Sequence, residues 1–184
     1  MLALATIASP IARASIDVGI MAGRGVAKET NPYVDQDLGS WYAIGPEVIG
    51  SLWLAPAFSV GFGLGYQAGL PDGKNIYGER SGRLRHELST RVVCRYKFLV
   101  GTAVEHDVGA GAVIIVSRPS DGGDSRGDRH RVQAFVSYRP SFRVSESFWL
   151  SVELLGAYGP KLSGGNDWVE NYEFVIRPGV EYRF

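Results

Sequence analysis

The sequence contains a single cysteine, Cys94, which excludes an intrachain disulfide, a Cys-x-x-Cys redox motif and a thiolate zinc site. It carries no net charge, with 19 Lys and Arg against 19 Asp and Glu, so it has no basic field to hold nucleic acid. No apolar run approaches the roughly 18 residues that a membrane-spanning helix requires. That absence leaves strands open as a means of crossing, because alternating apolar and polar residues cancel in any hydropathy window. The mean hydropathy of −0.02 is such an average and decides nothing.

What the sequence does have is alternation. In the last stretch, Tyr172, Phe174, Ile176, Pro178, Val180, Tyr182 and Phe184 form one set. Glu173, Val175, Arg177, Gly179, Glu181 and Arg183 form the other. A period of two is that of a strand with one apolar and one polar face. Aromatics stand at both ends of the apolar set, as they do on a strand that meets two membrane interfaces.

The same rhythm recurs upstream. Ile16, Val18, Ile20 and Ala22 alternate with Asp17, Gly19, Met21 and Gly23. A second strand runs roughly from 40 to 53, with Pro46 predicting a bulge or a missing ladder bond. Phe58, Val60, Phe62, Leu64 and Tyr66 then alternate with Ser59, Gly61, Gly63, Gly65 and Gln67. Glycines on the inner face of a narrow barrel leave room for long side chains from opposite strands. Further strands are expected near 83–98, 104–117, 131–139 and 148–158, with the closing strand as the eighth. The connections alternate: polar and irregular at 24–39, 69–81, 118–129 and 159–171, short near 55–57, 99–102 and 140–147. A single all-β domain follows, an eight-stranded antiparallel up-and-down transmembrane β-barrel, with four long loops on the outer rim.

Alternation alone does not say which face points outward, since a soluble barrel alternates too. Three features favour lipid on the apolar side: aromatics at strand ends, glycines on the polar face, and a terminal aromatic in phase with the apolar set. The polar face then becomes a set of charges in a narrow lumen. Its basic members are Arg83, Arg85, Arg91, Arg95, Lys97, Arg131, Arg139, Arg177 and Arg183. Its acidic members are Asp17, Glu47, Glu87, Glu105, Asp107, Glu153, Glu173 and Glu181. Near balance is what burial demands, because an unpaired buried charge costs several kcal/mol. The expectation is an interior salt-bridge network that plugs the lumen.

The strand rhythm, the Gly45-Pro46-Glu47-Val48 stretch and the terminal Tyr182-Arg183-Phe184 resemble the small eight-stranded bacterial outer-membrane families of the OmpA transmembrane domain and OmpX type. The resemblance spans residues 15–184. It implies a bacterial outer-membrane location, contact with outer-membrane lipid and lipopolysaccharide, and recognition of Val180, Tyr182 and Phe184 by the barrel-assembly machinery. It implies no cofactor, and a surface ligand, if any, would be met through the loops. Nothing matches the peptidoglycan-binding domain that full-length OmpA proteins carry. Residues 1–14 read as the remnant of a signal peptide, with Ala12-Arg13-Ala14 as a small-x-small cleavage site. The positively charged segment that should precede it is missing, so either the start codon is assigned too late or this is only an N-terminal tail. Export is the expectation.

Other chemistry is thin. Some small barrels hydrolyse lipid A, and His130 with Ser125 or Ser117 and Asp128 are the rim candidates, but they lack the spacing along one strand face that such a site needs. His86 and His106 fall in the apolar phase near strand ends, an interfacial position, and a metal site between them has no third ligand. Arg126-Gly127-Asp128 matches the tripeptide displayed by many integrin ligands, in a stretch where a three-residue match arises by chance. Trp168 reads as an interface-belt residue. Three function classes remain: a charge-plugged structural or surface-interaction barrel, a narrow pore, and a lipid A hydrolase.

Overall fold

The computed structural model describes residues 13–31, 34–72, 85–119, 129–162 and 169–184; side chains within 26–41, 70–85, 117–131 and 160–171 lie outside the description. Eight antiparallel strands close into one barrel: β1 (Arg13–Asn31), β2 (Val34–Ala55), β3 (Phe58–Asp72), β4 (Arg85–Phe98), β5 (Val104–Pro119), β6 (Arg129–Arg143), β7 (Phe148–Leu162) and β8 (Val169–Arg183). Each strand pairs with its neighbours in sequence. The barrel closes where β8 meets β1, from Ser15 opposite Arg183 to Glu29 opposite Val169. Closure leaves no sheet edge within the barrel, which the bilayer requires because it offers no water to an unpaired backbone group.

Burial settles the direction of the two faces. Leu88 and Val136 on the apolar set are 62% and 67% exposed, whereas Arg95 and Arg177 on the polar set are 2% and 1% exposed. A protein in water does not display so continuous an apolar surface, so this face is a lipid face. Cys94 lies on it. Tyr42, Tyr66, Tyr158 and Tyr172 are exposed at the rim of the long hairpins; Phe58, Phe98, Tyr138, Phe148, Tyr182 and Phe184 at the rim of the short turns. These are the two girdles expected at the interfaces. His86 and His106 stand among them. The His86 Nδ1 lies 2.5 Å from the Tyr66 hydroxyl, and the His106 Nδ1 lies 2.6 Å from that of Tyr138. Among the described residues no group of three or more His, Cys, Asp or Glu is arranged for a metal.

One expectation needs correction. The stretch 24–39 is not a loop: β1 and β2 continue their ladder to Asn31 opposite Val34, with a register shift at Ala27/Lys28. The other three outer connections are shorter than the sequence suggests, since strands run on to Asp72, Pro119 and Leu162 and resume at Val169. Strands of 14 to 22 residues exceed the roughly 9–11 needed for a tilted crossing, so their ends project past the hydrocarbon. There both faces meet water, and the alternation that marks a strand in lipid has no reason to persist. At Pro46 the expected missing ladder bond is found, and no bulge. The pairing of Ile44 with Ala68 and of Glu47 with Gly65 keeps one register, and only the ladder positions between them lapse. The neighbouring Gly45 is required there: a Cβ would sit 1.9 Å from the Tyr66 carbonyl oxygen.

Readings that fall on residues 1–12, Arg83, Ser125, the Arg126-Gly127-Asp128 tripeptide and Trp168 lie outside the described residues.

Candidate functional site: the lumen network

The interior of an eight-stranded barrel is only wide enough for side chains to fill. Seven strands send charged groups into it. Asp17 comes from β1, Glu47 from β2, Arg91, Arg95 and Lys97 from β4, and Glu105 and Asp107 from β5. Arg139 comes from β6, Glu153 from β7, and Arg177, Glu181 and Arg183 from β8. β3 supplies Gly61, Gly63 and Gly65 instead, which leaves space on that wall. A Cβ on Gly63 would touch Glu47, one on Gly19 would collide with the Arg177 guanidinium, and one on Gly179 would meet Asp17.

These twelve groups, six acids and six bases, form one connected network. Glu153 holds Arg95 at 3.3 Å and Arg91 at 2.8 Å. Arg91 reaches on to Glu47 at 2.9 Å. Glu47 also lies 2.7 Å from the Arg177 Nε, in ionic contact but out of hydrogen-bond alignment. Arg177 donates to Asp17 at 2.9 Å, and Asp17 accepts from Arg139 at 2.7 Å. Arg139 is the hub, donating also to Asp107 at 2.5 Å and to Glu181 at 3.3 Å. Arg183 then links Glu181 at 3.0 Å to Glu105 at 2.8 Å, where Lys97 closes the chain at 2.6 Å. Only Arg183 is appreciably exposed, at 18% of its side chain. Guanidinium predominates because its planar fork of five donors satisfies several carboxylates at once, which an ammonium does less well.

At the rim of the short turns two inward tryptophans cap the network. The Lys97 Nζ lies 4.0 Å over the Trp53 ring and the Arg183 guanidinium carbon 3.8 Å over that of Trp149. They line a mouth of about 880 Å³.

Most of the expected lumen charges are thus brought together: Asp17, Glu47, Arg91, Arg95, Lys97, Glu105, Asp107, Arg139, Glu153, Arg177, Glu181 and Arg183. Glu87 is likewise buried in the lumen. Arg85 and Arg131 occupy strand positions, and their side chains lie outside the description.

Sequence reasoning missed an apolar layer. Met21, Ile49, Val93, Val113, Ile115, Phe135, Leu155, Ala157 and Val175 form one buried cluster inside the barrel. On β1, β5, β6 and β7 its members lie nearer the long hairpins than the network charges do; on β2 Ile49 lies on the short-turn side of Glu47, on β4 Val93 lies between Arg91 and Arg95, and on β8 Val175 lies between Glu173 and Arg177. The signal was available, since each of these residues falls in the polar phase of its strand. An apolar residue in that phase reads as noise until the barrel closes and nine of them meet.

The rim triad of a hydrolase is not assembled by any described contact. The backbone of His130 pairs with Val116 and Leu162, and that of Ser117 with Arg129. Val180, Tyr182 and Phe184 form an exposed apolar row on β8, with Tyr182 in ring contact with Phe148 and Phe184, each at 4.9 Å.

No protein-family model matches the sequence, and no curated protein sequence matches it. Solved structures do match. Neisserial surface protein A superposes with a TM-score of 0.62 at 16% identity, over 92% of this chain and 97% of that one. The outer-membrane protein OprG from Pseudomonas aeruginosa gives 0.58 at 11% identity, over 93% and 95%. Ail of Yersinia pestis, in complex with the heparin analogue sucrose octasulfate, gives 0.53 at 15% identity, over 94% and 99%. The shared property at these identities is the fold, that of the small eight-stranded outer-membrane β-barrels.

Proposed function

We propose that the protein is a non-enzymatic barrel of the bacterial outer membrane, exported through a signal peptide, with a lumen plugged by its own side chains and a role exercised at its outer rim. One observation supports this reading: among the described residues, twelve charged groups from seven strands pair with one another in a single network inside the lumen. The apolar cluster adds to the plug, because its side chains fill lumen volume without offering an ion a counter-charge. Function is thereby directed to the hairpins, as a scaffold of the envelope or as a surface for an external ligand. The β1–β2 hairpin, whose ladder continues to Asn31, is the most extended of these platforms among the described residues. The complex of Ail with a heparin analogue supports the surface-ligand form by analogy of fold. The exposed row Val180, Tyr182 and Phe184 supports recognition by the assembly machinery.

The test is single-channel recording of refolded protein in a planar bilayer, with folding checked by heat-shifted gel mobility. Folded protein that leaves the bilayer silent is the expected result. Stable discrete current steps would replace the plugged barrel with a narrow pore.

A further inference from the structure

The outward face of the strands, wherever its side chains are described, is apolar or uncharged with one exception. Arg24 projects from β1 among the outward residues, exposed, between Tyr42 on β2 and Phe174 on β8. Its guanidinium carbon lies 5.4 Å over the Tyr42 ring, and it makes no ion pair among the described residues. Beside it a groove of about 820 Å³ runs across the outer surface of β6, β7 and β8. Its floor is made of Ala134 and Gly156, and Val136, Tyr158, Tyr172 and Phe174 stand around it. A Cβ on Gly156 would meet nothing within 4 Å, so the hollow there is open and no described side chain fills it.

The two features belong to different parts of one amphiphile. Arg24 stands in the tyrosine girdle of the long-hairpin rim, the depth at which lipid head groups lie. With no carboxylate on it among the described residues, a guanidinium at that depth takes its counter-charge from the bilayer, and its fork matches the oxygens of a phosphate. The groove extends from that point over the apolar band, where only hydrocarbon can follow it. We propose that this surface is a specific binding site for a phosphate-bearing, multi-acyl lipid of the surrounding leaflet, with its phosphate on Arg24 and an acyl chain laid over Gly156 and Ala134. The site is independent of whether the lumen conducts.

The experiment is native mass spectrometry of the refolded full chain, released from mixed micelles holding equal amounts of diphosphoryl lipid A and phosphatidylcholine. One lipid A per barrel is expected to survive release in preference to phosphatidylcholine. Arg24→Gln should lower its retention by roughly tenfold, the loss of a charge-assisted bond to phosphate. Gly156→Leu should do the same by filling the floor while leaving the barrel intact, as heat-shifted gel mobility will verify. Arg143→Gln, an exposed cation at the opposite rim, should retain lipid A as the unaltered chain does. Equal retention of phosphatidylcholine, unchanged retention in either groove variant, or an equal loss in the Arg143 variant would each overturn the proposal.

Discussion

Arg139 touches three carboxylates, those of Asp17, Asp107 and Glu181, and no other cation contacts Asp107 in the network. Removing it leaves a buried acid unpaired and two more half-paired. Arg139→Met should therefore cost about 3–5 kcal/mol. Lys97→Met leaves Glu105 still held by Arg183 and should cost roughly 1–2 kcal/mol, the worth of one charged hydrogen bond. Urea titration in lipid vesicles measures both, and equal costs would contradict the hub. Glycine offers a second contrast at this scale. Gly45→Ala drives a methyl into the Tyr66 carbonyl and should destabilise by about 2 kcal/mol or more. Gly50 faces lipid, and a Cβ there meets nothing within 4 Å, so Gly50→Ala should be neutral or stabilising by up to about 1 kcal/mol. Gly19, Gly63 and Gly179 were legible in sequence as spaces in the polar phase. The atoms that occupy those spaces were not, because Arg177 reaches Gly19, Glu47 reaches Gly63 and Asp17 reaches Gly179, each from a different strand.

Each barrel strand is two elements in series. The first crosses lipid, and its alternation is enforced by apolar surroundings on one side and a crowded lumen on the other. The second stands in water, where only the backbone ladder matters. The β1–β2 hairpin divides at the register shift between Ala27 and Lys28, beyond which, among the described residues, β2 pairs with β1 alone: its last described partner on β3 is Asp72, opposite Ser40. Replacing residues 28–38 with a two-residue Asn-Gly turn should therefore leave the barrel able to fold, with its heat-shifted mobility retained. Loss of folding would mean that the projecting hairpin contributes to barrel stability. The prolines on the outward face follow the same logic. Pro46 and Pro178 each coincide with a lapse in the ladder on one side, toward β3 and β1 respectively, while pairing continues on the other. A strand held from both sides tolerates one missing donor where an edge would not.

At the scale of the whole barrel, the charges balance because closure allows nothing else: a ring of strands too narrow for bulk water must satisfy inside itself whatever charge it encloses. The number of strands, the girdles and the face taken by each described residue, including the described lumen charges, were determined by the sequence, since a period of two is a local property that any short window displays. Three things were decided only by the tertiary structure. One is the pairing within the lumen, where Arg139 meets Asp17 across 122 positions of chain. Another is the gathering of Met21, Ile49, Val93, Phe135 and their neighbours into one apolar layer. The third is the open groove beside Arg24. Each depends on the register in which eight strands close, and register sets which residues from distant strands share a height. No window of sequence contains that height, so these contacts exist only once β8 has met β1.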